Sequence, residues 1–229
     1  MQKKTYADLP QKYVVLIKPR SIKKTCPPPH FIWYRYARLI KIGSIAPARL
    51  LYKTVRNRKL IFGGRWDCRA SSIDQHRFFH IINDIYQNRD NLENSNTFKD
   101  ALEKIERNGF YRHKKRIISC EADLANYLDR YLKRLVMSIS NEGFKYNEHY
   151  SDLPAGGISR HGELMLMHNG MHRLAAAQIT RPGTLFPLRI SAVHKKQVKN
   201  RDLKEAVNRV ANAHGGTLSN RRAPTDDTK

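Results

Sequence analysis

The hydrophobic pattern between Gly156 and His194 constrains the fold more than any other stretch of this chain. "GGISRHGELMLMHNG" (156–170) offers a turn at His161–Gly162 and then alternates, with Leu164 and Leu166 opposite Met165 and Met167. "MHRLAAAQIT" (171–180) reads as a helix, and "RPG" breaks it. "LFPLRISAVH" then alternates again through Leu188, Ile190 and Ala192. Strand, helix and strand in that order predict a βαβ unit or a close relative, right-handed if its strands are parallel and share one sheet. The expected fold class is therefore α/β (α+β), a small mixed sheet with a helical insertion.

The insertion is predicted over about 75–145, where three helical patterns follow one another. "SIDQHRFFHIINDIYQ" (72–87) puts Ile73, Phe78, Ile81, Ile82 and Ile85 on one face, with Ser72 as cap. "NTFKDALEKIERNGF" (96–110) carries Phe98, Leu102 and Ile105, with Asn96 or Thr97 as cap and Gly109 as stop. "SCEADLANYLDRYLKRLVMSISNEGF" (119–144) has a stripe of Leu124, Leu128, Leu132, Leu135 and Val136 that Gly143 punctuates. Upstream, "KLIFGGRWDC" (59–68) reads as a short strand leaving through a glycine turn. "PARLLYKTVRN" (47–57) has helical spacing, and "FIWYRYARLIKI" (31–42) is an aromatic, basic element suited to core packing or to stacking on bases.

Residues 1–30 read as a basic arm whose "TCPPPH" stiffens toward polyproline II. The domain proper is expected over 31–211, ending in a basic amphipathic helix over 195–211 with Leu203, Val207 and Val210. A disordered tail is expected over 212–229.

Charge is the strongest global signal: 43 Lys+Arg against 20 Asp+Glu leave a net +23. That excess favours polyanions, namely nucleic acid, nucleotide phosphates or an acidic membrane surface, but supplies attraction without specificity. "RHKKR" (112–116) and "HKKQVKNR" (194–201) are candidate backbone-binding patches, or else solvated basic faces. Cys26, Cys68 and Cys120 are widely spaced and match no zinc or disulfide pattern, so reduced thiols are expected. The longest apolar run near the start, "YVVLI", is too short for a secretion signal or a membrane span. A cytoplasmic protein with no membrane partner is the expectation. Walker A, GxSxG, HExxH and dinucleotide-binding patterns are absent from the sequence.

The segment "HNGMHRLAAAQ" has the logic of an anion cradle. Asn169 suits an N-cap, and Gly170 admits a close approach of backbone. The amides of Gly170, Met171 and His172 then point unpaired from the positive end of a helix dipole. Arg173 and His172 add side-chain donors to the same anion. Ala175, Ala176 and Ala177 let the helix lie close against a sheet. The competing reading is a plain capped helix with His172 and Arg173 on its surface. His194, at the end of the following strand, is a weaker candidate for the same site, or else a surface histidine.

The segment also resembles the Asp-Gly-His-His-Arg type signature of the ParB/sulfiredoxin superfamily. Gly170, His172 and Arg173 match; Asn169 stands where the acid is usual and Met171 where the first histidine is. An asparagine cannot act as a base and holds a cation less well than an aspartate. "FGGRWDC" looks like a Gly-Asp-Trp-Asp element found upstream in a subset of ParB-like proteins. Gly64, Trp66 and Asp67 match, and Arg65 replaces the first acid. The resemblance implies a nucleotide, ATP or CTP, held with Mg²⁺ by Asn169, Gly170, Met171, His172 and Arg173. It further implies hydrolysis or phosphoryl transfer, with His172 and Arg173 stabilising the transferring charge and Asp67 as metal ligand or base. The alternative for Asp67 is a hairpin turn in which Trp66 plugs the core and Asp67 caps the next helix. Two other functions stay open: a basic DNA- or RNA-binding protein of ParB-like fold without catalysis, and a ParB-type nuclease. The latter lacks a clear acidic cluster for two metals. The sequence also carries no obvious helix-turn-helix for reading a DNA site.

Overall fold

The computed structural model of this chain describes residues 13–29, 60–113, 116–144, 153–167, 169–198 and 202–218. The elements expected in "FIWYRYARLIKI" and "PARLLYKTVRN" lie outside the described residues. In chain order the elements are β1 (Val14–Ile17), β2 (Lys24–Cys26), β3 (Ile61–Phe62), β4 (Ser71–Ser72), α1 (Arg77–Gln87) and α2 (Asn96–Asn108). They continue with β5 (Tyr111–His113), β6 (Arg116–Ile118), α3 (Glu121–Tyr127), a π-helical stretch over Leu128–Lys133, and α4 (Arg134–Glu142). The chain finishes with β7 (Ala155–Ile158), β8 (Leu164–Met167), α5 (Met171–Thr180), β9 (Phe186–His194), α6 (Leu203–Ala213) and β10 (Thr217–Leu218). The class is mixed α/β. Two compact units share the chain: Met1–Ile73, Tyr146–Gly170 and Gly183–Lys229 form one, and Asp74–Lys145 with Met171–Pro182 the other.

The first unit holds an eight-stranded mixed sheet in the order β10-β1-β9-β7-β8-β2-β4, with β3 also paired to β9. β9 is its axis, antiparallel to β1 and parallel to both β7 and β3. Every residue of β7 and β8 is buried, and so is all of β9 except Ser191. The alternation read in "LMLM" therefore marks no solvent face; these strands are covered on both sides. Cys26, Phe62, Trp66, Met165 and Met167 pack into one apolar cluster. The Cys26 thiol donates to the Trp66 carbonyl at 3.2 Å. Burial, reinforced by the charge of Asp67, pushes that thiol up to about 11, so Cys26 is an inert core group.

Four expectations are corrected here. β7 pairs antiparallel with β8 and parallel with β9, so β8 and β9 run in opposite directions and do not form a parallel βαβ crossover. β7, "AGGI", carries too little β-propensity to announce itself, yet it is the strand between them. The supposed arm over 1–30 contributes β1 and β2, whose Val15, Ile17 and Cys26 lie in the core. The supposed tail contributes β10, paired with β1 through Val15↔Leu218. Four apolar residues in "VVLI" fill the sheet, and that outweighs the basic composition around them. The last helix is also shorter than expected: Lys195–Gln197 is a 3-10 turn, and α6 begins after Asp202, which caps it by accepting from the Glu205 amide at 2.9 Å.

The second unit is helical with one small hairpin. α1 is capped by His76, whose side chain accepts from the Phe78 amide. Ser72, the expected cap, instead pairs with Lys24 in the sheet. Ser95, not Asn96 or Thr97, caps α2, and Gly109 closes it. Asp84 of α1 accepts from the Asn96 and Thr97 amides at 3.2 and 2.7 Å and from the Thr97 hydroxyl at 2.6 Å. The hairpin pairs Tyr111↔Ile118, Arg112↔Ile117 and His113↔Arg116. At the end of α4, Arg181 donates to the carbonyls of Ser140 and Asn141, both at 2.6 Å.

Candidate functional site: the opening turn of α5 and the Asp67 turn

α5 starts at Met171, so Gly170 flanks it and Asn169 stands one residue further out than a cap would. The Asn169 amide turns back onto the Met167 carbonyl at 2.6 Å. Gly170 has φ 95°, a left-handed conformation that favours glycine, and a Cβ there would lie 2.6 Å from Cβ of Pro154. The glycine thus lets the chain turn into the helix against its own Pro154. The first amides of α5 lack partners within the helix, as in every α-helix. Leu174, Ala175, Ala176 and Ala177 behind them are buried.

The side chains of this turn are engaged by aromatic rings of the helical unit. The His172 imidazole meets Phe78 edge-on at 4.5 Å between ring centres, 6.2 Å from Tyr131 and 6.3 Å from His113. Tyr127 stacks on Tyr131 at 5.5 Å, and the Arg116 guanidinium lies 6.0 Å from the Tyr127 ring centre. Burial pushes the Tyr127 phenol up from its ordinary value, so it stays protonated. His172 accordingly packs α5 into an aromatic cluster. Arg173 places its guanidinium 5.7 Å from the Phe144 ring centre.

Asp67 belongs to the sheet unit and sits in a 3-10 turn, Trp66–Arg69, after the Gly63–Gly64 turn. Trp66 is only 3 % exposed and plugs the core, as one of the two readings had it. Asp67 does not cap a helix. It is locked to Arg160, 93 residues away: Nη2 donates to Oδ1 at 2.6 Å, Nε to Oδ2 at 2.9 Å, and the Arg160 amide to Oδ2 at 2.7 Å. Burial pushes the Asp67 carboxyl up, but the Arg160 hydrogen bonds outweigh it and hold the group down at about 2. A carboxylate this acidic, with both oxygens taken, is a poor base and a poor metal ligand. Asn169 supplies no acid either, and no group of three His, Cys, Asp or Glu gathers among the described residues. Arg160 thus engages both carboxylate oxygens through which Asp67 would reach a Mg²⁺ ion.

Arg160 is the residue that sequence reasoning missed. Its only signal was a position in the turn after β7, too far from Asp67 to suggest a partner. His194 is not a surface group. It is 2 % exposed, accepts from the Lys196 amide through Nδ1, and so donates through Nε2 to the Gly64 carbonyl at 3.0 Å. Compared with protein-family models, curated proteins and solved structures, the chain matches none.

Proposed function

We propose that this chain binds a nucleotide, ATP or CTP, by its phosphates at the opening turn of α5, and that it binds without metal-assisted chemistry at Asp67. The observation that carries the reading is the entry through Gly170 at φ 95° into a ten-residue helix that carries Arg173 in its first turn. Backbone amides at a helix N-terminus with an arginine fork beside them are a phosphate-binding combination. The likeness of this segment to the ParB/sulfiredoxin signature supports the same ligand class. The lock between Asp67 and Arg160 supports binding over hydrolysis or transfer.

Thermal shift with ATP and with CTP, each in Mg²⁺ and in EDTA, tests it. The expected result is a rise in Tm with at least one nucleotide in both buffers. Arg173→Ala should weaken that nucleotide by about tenfold, the loss of a charge-assisted hydrogen bond. No shift with either nucleotide, or a full shift retained by Arg173→Ala, overturns the reading.

A further inference from the structure

Three turns of the sheet unit, far apart in sequence, are tied together by hydrogen bonds. They are the Gly63–Arg69 segment after β3, the Arg160–Gly162 turn between β7 and β8, and the Lys195–Gln197 turn after β9. The Gly64 carbonyl accepts from Arg160 Nη2 and from His194 Nε2, both at 3.0 Å. The Arg160 carbonyl accepts from Gln197 Nε2 at 2.8 Å. The Lys195 stem covers Gly63 so closely that a Cβ on Gly63 would lie 3.1 Å from its Cδ. His214 Nε2 lies 3.1 Å from the Gly162 carbonyl. The backbone that carries these turns is thus cross-linked.

What this frame presents is cationic. Arg65, Arg69, Lys195 and Lys196 are all exposed. The acids nearby are already neutralised: Asp67 by Arg160 at 2.6 Å and Glu163 by Lys24 at 2.6 Å. Arg65, Arg69, Lys195 and Lys196 make no ion pair among the described residues. Among the described residues, none of the exposed large apolar side chains, Phe110, Ile117, Tyr131 and Leu185, lies in these turns. A face that anchors in a membrane interface adds apolar side chains to its charges. A face that tracks a phosphodiester backbone needs only cations on a fixed frame.

We infer that these three turns form a sequence-independent docking surface for the phosphate backbone of nucleic acid. It shares no residue with the α5 turn. Fluorescence anisotropy of a labelled duplex DNA, titrated with the full chain over a range of salt, tests the inference. Log affinity should fall linearly with log salt. Each cation lost from the surface should flatten the slope by about 0.9. R65A/R69A/K195A/K196A should therefore flatten it by about 3 to 4 and weaken binding more than tenfold near physiological salt. The milder K195A/K196A should flatten it by about 2 and guards against misfolding of the fourfold variant. A matched variant that removes equal charge from the helical unit, K99A/R107A/R130A/R134A, should keep the parental slope. Equal losses in the two fourfold variants would assign the effect to net charge and overturn the inference. So would binding to phosphatidylserine vesicles with none to DNA, or no binding to either.

Discussion

Asp67 shows how one residue changes meaning once its neighbour is known. As a carboxylate after a glycine turn it reads as a base or a metal ligand. With Arg160 donating to both oxygens it is the buried half of an ion pair whose side chain is 3 % exposed. The pair makes a prediction about acid stability. The folded carboxyl titrates at about 2, below the ordinary aspartate value, so its contribution is complete above about pH 4 and fades as pH falls through the folded value. Asp67→Asn should lower the urea midpoint at pH 7, and the gap from the parent should close between about pH 4 and pH 2. A gap that persists unchanged at pH 2 would mean the carboxylate charge is not what stabilises the turn. Arg160 could not be read beforehand, because an ion pair 93 residues apart leaves no local pattern.

Helices were legible because their stripes are local. Ile82 and Ile85 of α1, Phe98, Ala101 and Ile105 of α2, and Leu124 of α3 are buried, and the period of 3.6 announces such faces. Helix starts were less legible, since several neighbouring residues could cap. Ser95, Asn96 and Thr97 all qualify by type, and Asp84 from the preceding helix decides among them by taking the amides of Asn96 and Thr97. Ser95 is left to accept from Phe98 at 3.1 Å while donating to the Leu92 carbonyl at 2.6 Å. Ser95→Ala should cost about 1 kcal/mol in urea unfolding. Asn96→Ala, which removes no cap side chain, should cost less. The π-helical stretch over Leu128–Lys133 passed unnoticed, because Leu124, Leu128, Leu132, Leu135 and Val136 read as an unbroken helical stripe.

On the scale of the molecule, the sheet is assembled from pieces that local reasoning assigned to an arm, a domain and a tail. β1 lies between β9 and β10, and its loss would strip two ladders and uncover Leu188 and Phe186 of β9. Deleting residues 1–17 should therefore abolish cooperative thermal unfolding followed by circular dichroism. A truncated chain that keeps the parental Tm would restore the view that this segment is an arm. The mixed α/β class, the helical segment between the glycine turn and β7, and the strand–glycine–helix passage around Gly170 are legible from the residues alone. Each of these is written in a local period or a single residue with special backbone freedom. Strand direction, the membership of β1, β2 and β10, the Asp67–Arg160 lock and the gathering of three basic turns emerge only in the folded chain. Those depend on hydrogen bonds and charges between residues distant in sequence, and such partners are chosen by packing rather than by pattern.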